Sequence, residues 1–117
     1  MSKAIEPKDW EKFLGEFSAR NKERRARFYI FFASGETLEE EEEGRFKGAS
    51  LSKDVDKTRV VVERGTTEGE TMTDPIENVR GVAVQYEVDD SENILEITDG
   101  KNTLFSLRFE SKLDGDS

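Results

Sequence analysis

Five basic residues fall within eight positions, Arg20, Lys22, Arg24, Arg25 and Arg27, and the segment runs directly into the uncharged strip Phe28–Ala33. Such a run can be read as a nucleic-acid patch, the cations supplying phosphate contacts while Tyr29, Phe31 or Phe46 offer stacking faces. Three structural roles compete with that chemistry. Cations at the end of a helix complement its dipole. Charges flanking an aggregation-prone strand act as gatekeepers against edge-to-edge pairing. The acid run Glu39–Glu43 lies close enough in sequence to neutralise the patch within the chain. Structural roles are the first expectation, a protein partner contacting these five residues the second, and nucleic acid the third.

Carboxylates are the other abundant chemistry. Asp54 with Asp56, the stretch Asp89 to Glu92, and the terminal Asp114-Gly-Asp116 could each be proposed for a hard cation, but none has the spacing of an EF-hand loop. No metal site and no cofactor are expected. Among 27 Asp and Glu residues some pair falls at a catalytic distance by chance, so paired acids carry no specific signal. The chain has neither Cys nor His, which removes disulfides, thiol nucleophiles, imidazole or thiolate zinc ligands and histidine-based triads. Phosphate loops of the GxxxxGK type, GxGxxG turns and GxSxG elbows are also absent. A non-enzymatic role is the expectation.

The elements that must position the basic run are legible in part. Trp10, Phe13, Leu14 and Phe17 recur at helical spacing, with Pro7, Asp9 and Glu11 suited to a first turn. This predicts an N-terminal helix whose aromatic stripe needs a sheet to cover it, so Trp10 is expected to be buried. "RFYIFFA" predicts a central strand that is apolar on both faces. Residues 36–43 read equally as a loop, a short helix or the far arm of a hairpin turning at Ser34-Gly35. "GRFKGASL", "KTRVVVER" and "GVAVQYEV" predict further strands, with "DPIENV" as a turn between the last two. Asp99-Gly100 lies between two apolar-rich runs and predicts a closing hairpin, its second arm alternating Phe105, Leu107, Phe109 with Ser106, Arg108, Glu110.

Together these give one domain over residues 1–117, with a folded core of about 6–111 and flexible ends. The expected class is α+β, an N-terminal helix packed on a bent antiparallel sheet or small partly open barrel of five to six strands. The opening "MSKAIEPKDW" lacks the apolar core of a signal peptide, and the longest apolar run is the six residues Phe28–Ala33. A cytoplasmic location without membrane contact is expected, and the state is monomer or homodimer. The net charge of −9 repels phosphate backbones at long range, so no nucleic acid is expected as partner.

The lead "IEPKDWEKFLGEFSARN", with Ile5, Pro7, Asp9, Trp10, Phe13, Phe17 and Ser18, resembles the opening of a bacterial domain family of uncharacterised function. "GETMTDPIENV" and "LEITDGKNTLFSLRF" are similar to its middle segment and closing hairpin, so the resemblance spans most of the chain. Members usually carry Gly-Trp before the first strand where this chain has "KERRAR". The resemblance implies a helix followed by a β-rich body and implies no activity or site. The leading functional expectation is a protein-interaction or regulatory module. The alternatives are a binder of small or lipid-like ligands in an apolar pocket between helix and sheet, and an RNA-binding small barrel.

Overall fold

The structure, a computed structural model, describes residues 2–39, 44–54, 57–66, 69–89 and 91–110. The chain begins with strand β1 (Ser2–Ile5), a 3-10 turn (Pro7–Asp9) and helix α1 (Trp10–Asn21). Eight strands follow: β2 (Arg25–Phe31), β3 (Thr37–Glu39), β4 (Gly44–Asp54), β5 (Lys57–Gly65), β6 (Thr71–Ile76), β7 (Val79–Tyr86), β8 (Glu92–Asp99) and β9 (Leu104–Phe109). All pair antiparallel in one sheet of order β1-β7-β8-β9-β2-β4-β5-β6, with β3 attached to β2.

The α+β class therefore holds, but among the described residues the sheet has nine strands instead of five to six. Three explain the difference. β1 lies in a stretch expected to be flexible and is held by backbone pairing to β7, from Ser2 opposite Gln85 to Ile5 opposite Val82. β3 is the hairpin arm, one of the three readings open for residues 36–43, pairing Thr37–Glu39 with Phe31–Tyr29. β6 takes in residues 74–76, the first half of the segment read as a turn, whose second half, Glu77 and Asn78, does turn into β7; because β6 is an edge strand its Pro75 is tolerated opposite Val61.

The curvature follows from connectivity. β6 ends the sheet on one side and β7 is second from the other, yet only Glu77 and Asn78 separate them in sequence. Two residues span less than about 11 Å even fully extended. The sheet must therefore curl until its two ends approach, with Asn78 in the left-handed region at φ 53° turning the corner. Among the described residues β6 and β7 do not pair, so the curl stays open.

Helix α1 closes over the curled sheet. Trp10, Leu14 and Phe17 are buried on one helical face, as their spacing predicts, against Phe46, Ala49 and Phe109. Phe17 makes ring contacts with Phe46 at 5.7 Å and Phe109 at 5.6 Å, within the range of favourable aromatic pairs. The Trp10 indole N–H donates to the Ile5 carbonyl at 2.9 Å, which ties the end of β1 to the helix. Ser18 fastens the other side, its hydroxyl accepting from the Ala49 N–H at 2.8 Å and donating to the Leu14 carbonyl at 2.7 Å. Val60, Val62, Val82, Val84, Leu95, Ile97 and Leu107 complete the core from the inward face of the sheet. Among the described residues no helix is long and apolar enough to cross a membrane.

Candidate functional site

The basic run straddles the corner between α1 and β2, and the corner divides it. Lys22 has ψ 135°, which ends the helix, and Glu23 takes the left-handed region at φ 73° before the strand begins. From there the two-residue period of a strand sends successive side chains to opposite faces. Arg24 goes inward, whereas Arg25 and Arg27 share the outer face with Tyr29 and Phe31.

Arg24 is only 7% exposed and forms the centre of a clamp. Its Nη1 donates to Asn21 Oδ1 at 2.8 Å and to the Glu92 carbonyl at 2.7 Å, and its Nη2 donates to the Glu110 carbonyl at 3.0 Å. The guanidinium lies 4.9 Å from the Phe109 ring centroid, a cation–π distance. Asn21, also buried, donates from Nδ2 to the Phe17 carbonyl and to Glu92 Oε1, both at 2.9 Å. Arg20 completes the group with a bidentate pair onto Glu92, Nε at 3.0 Å and Nη2 at 2.8 Å. The end of α1, the start of β8 and the residue after β9 are thereby joined through one cation.

Protonation preferences follow this geometry. Burial pulls the Arg24 guanidinium below its ordinary range, partly offset by the charges of Glu87, Glu92 and Asp89. Burial alone would raise Glu92. The hydrogen bonds from Arg20 and Asn21, with the charges of Arg20 and Arg24, outweigh it and hold the carboxyl below the usual range. The hydrogen bond to Glu92 raises Arg20. Arg24, expected among the residues presented to a partner, is thus enclosed by the fold, and Arg20 faces Glu92. Arg20, Lys22, Arg25 and Arg27 keep surface exposure in whole or part.

On the outer face β2 and β9 set Arg27 directly opposite Arg108 and Tyr29 opposite Ser106. Like charges directly opposite each other across a strand pair are unfavourable. Arg27 has Glu39 Oε1 at 3.2 Å, and Tyr29 Oη also reaches that oxygen at 3.3 Å. Arg108 has no carboxylate partner among the described residues. Its guanidinium instead lies 4.8 Å from the Tyr29 centroid and 5.6 Å from that of Phe31, two rings stacked at 6.3 Å and 11°. Arg25 contributes Nη1 at 3.6 Å from Glu110 Oε2. The result is a shallow depression of about 220 Å³ walled by Arg25, Arg27, Tyr29 and Arg108, with Glu110 beside Arg25.

The Arg27–Glu39 contact realises part of the expected neutralisation by the acid run, whose other members, 40–43, lie outside the described residues. Phe46, a proposed stacking face, is fully buried in the core. Of the acid clusters, Asp89 accepts from the Ser91 N–H at 3.0 Å in a local turn. The side chains of Asp54 and Asp56, with Asp90 and the terminal segment, are outside the described residues. Arg108 was not singled out from sequence, although its alternation with Leu107 and Phe109 marks it as outward-facing. Compared with protein-family models, curated proteins and solved structures, the chain matches none.

Proposed function

We propose that this protein is a non-enzymatic, cytoplasmic interaction module that receives an acidic segment of a partner protein on the outer face of β2 and β9. The observation that carries the reading is the Arg27–Arg108 cross-strand pair, whose second member rests on Tyr29 and Phe31 with no carboxylate among the described residues. A carboxylate placed between the two guanidinium groups relieves their mutual repulsion and meets them in bidentate geometry. The stacked rings supply apolar area and hold Arg108 in place, which lowers the entropic cost of binding.

The net charge of −9 favours a peptide over nucleic acid, because a peptide brings a few carboxylates whereas duplex DNA brings a phosphate every 1.7 Å or so. The alternative of an apolar pocket between helix and sheet gains no support. Leu14 and Phe17 fill that space and are fully buried.

Fluorescence anisotropy of the full chain with labelled acidic, neutral and oligonucleotide probes tests the reading. Binding of the acidic peptide should exceed that of the neutral one and be lost in Arg108→Ser with the unfolding midpoint unchanged. Tighter binding of the oligonucleotide would replace the protein-partner reading with the RNA one.

A further inference from the structure

A second concave site lies around the α1–β2 corner from the outer face. It is a groove of about 520 Å³ where the starts of β4 and β6 and the end of β5 meet Glu23 and Arg25. Its cations are Arg25, Arg45 and Lys47, against the carboxylates Glu23 and Glu70. Arg25 and Arg45 are directly opposite each other across the β2–β4 pairing, a second like-charge cross-strand pair.

Gly44 and Gly65 lie on the paired strands β4 and β5 and are packed closely against their neighbours. A Cβ on Gly44 would come within 2.9 Å of the Gly65 carbonyl oxygen, and a Cβ on Gly65 within 2.8 Å of Lys47 Cε. The Lys47 stem thus lies against Gly65, and its ammonium reaches the Glu23 carboxylate.

Glu23 holds the present occupants of the donors. Its carboxylate pairs with Lys47 Nζ, and that hydrogen bond keeps its carboxyl below the usual range. Its carbonyl accepts from Arg45 Nη1 at 2.9 Å, and its N–H donates to the Phe46 carbonyl at 2.7 Å. Arg45 has no carboxylate partner among the described residues. The backbone of Glu23 is left-handed, a conformation that costs a non-glycine residue free energy and persists where its surroundings enforce it. A strained residue thus places its carboxylate on Lys47 and its carbonyl on Arg45.

We propose that this groove binds the phosphate or carboxylate group of a small anionic molecule, with the Glu23 carboxylate as an internal placeholder that the ligand displaces. Arg45 meets the oxyanion with its planar fork, Lys47 adds a point charge once released, and the anion relieves the repulsion between Arg25 and Arg45. An exposed ion pair such as Lys47–Glu23 is weak enough to be exchanged for a ligand.

Isothermal titration of the full chain with inorganic phosphate, pyrophosphate and succinate is the test, with circular dichroism confirming that each variant folds. At least one anion should bind with a dissociation constant below roughly 10 mM, and Arg45→Ser combined with Lys47→Ser should weaken it about tenfold or more. Glu23→Gln should tighten binding roughly two- to fivefold, beyond any gain from Glu11→Gln, which changes the global charge equally at an exposed site away from the groove. Absence of binding by all three anions, or binding indifferent to Arg45 and Lys47, overturns the site. Equal gains from Glu23→Gln and Glu11→Gln overturn the placeholder. Loss of binding to an acidic peptide in the Arg45 and Lys47 variant, with no response to the small anions, overturns the small-molecule assignment and gives the groove to the partner of the outer face.

Discussion

Arg24 and Arg108 carry the same group in opposite settings. Arg24 is buried, donates to one side-chain oxygen and two carbonyls, and binds three elements together. Arg108 is exposed, faces another arginine across the strand pair, and rests on two rings. Removing a buried cation leaves its acceptors without donors where water has limited access, whereas removing an exposed one leaves a solvated surface. The first arginine is therefore read out in stability and the second in binding.

The largest expected effect comes from breaking the clamp. Arg24→Ala strips donors from Asn21 Oδ1 and from the Glu92 and Glu110 carbonyls and opens space over Phe109. We expect it to lower stability by roughly 3–5 kcal/mol in denaturant titration. Arg24→Lys should recover only part of that, because an ammonium cannot reproduce the fork that spans Asn21, Glu92 and Glu110. A midpoint unchanged by either substitution would show that the clamp does not hold the corner.

Glu92 sharpens the same side of the comparison. Glu92→Gln weakens its bonds from Arg20 and Asn21, and hydrogen bonds to charged groups contribute roughly 1.5–3 kcal/mol each. The cost should fall at the low end of that range, because the Arg20 side chain is 49% exposed and screened by solvent. Its pH signature has a definite sign. The folded state holds Glu92 below its ordinary range, so its contribution is complete above that range and disappears as pH falls through it toward the folded value. Urea midpoints measured across the acid range should drop less steeply in Glu92→Gln than in the parent protein. The slope that remains includes Glu23, whose pKa is lowered in the same direction by Lys47.

Arg108→Ser belongs to the other side. An exposed cation–π contact is worth about 0.5–1 kcal/mol, and relief of the Arg27–Arg108 repulsion offsets part of its loss. Native stability should therefore change by less than about 1 kcal/mol, while acidic-peptide binding disappears. A large loss of stability would move Arg108 into the same class as Arg24 and remove the contrast between them.

The helix and the closing hairpin were legible because each rests on local pattern. The stripe of Trp10, Leu14 and Phe17 matches the buried face of α1, and Asp99 organises its own turn, its Oδ1 accepting from the N–H groups of Lys101 and Thr103. β1 was not legible, because Ser2–Ile5 is mostly exposed and owes its strand form to the backbone of β7. β6 was obscured by Pro75, a turn signal that an edge strand tolerates. The basic run reads in sequence as one feature, and only the left-handed corner at Glu23 reveals that Arg24 and Arg25 part company. The groove depends on β4–β5 pairing that sets Arg45 opposite Gly65, a juxtaposition of residues twenty apart with no local signature.

The smallest native effect is expected from the double variant Arg25→Ser with Arg27→Ser, which tests gatekeeping once Arg24 is left intact. Replacing all three arginines would confound it, since loss of the clamp alone unsettles the corner. β2 pairs with β9 along one side, but its other side is shared, with β4 at Arg25 and Ala26 and with β3 from Tyr29 to Phe31. An aromatic-rich strand is a place where a second chain can dock while the fold is incomplete, and charges carried on that strand oppose it. The two arginines make exposed ion pairs with Glu110 and Glu39, so their removal should shift the native midpoint by less than about 1 kcal/mol. Light scattering during refolding from denaturant should nevertheless rise, and the yield of soluble protein should fall as protein concentration increases. Adding salt to the parent protein should reproduce part of that loss, because screening weakens the same repulsion between incoming chains. If the double variant refolds with unchanged yield at every concentration, the charges on β2 are not gatekeepers, and their placement on the outer face is left to binding.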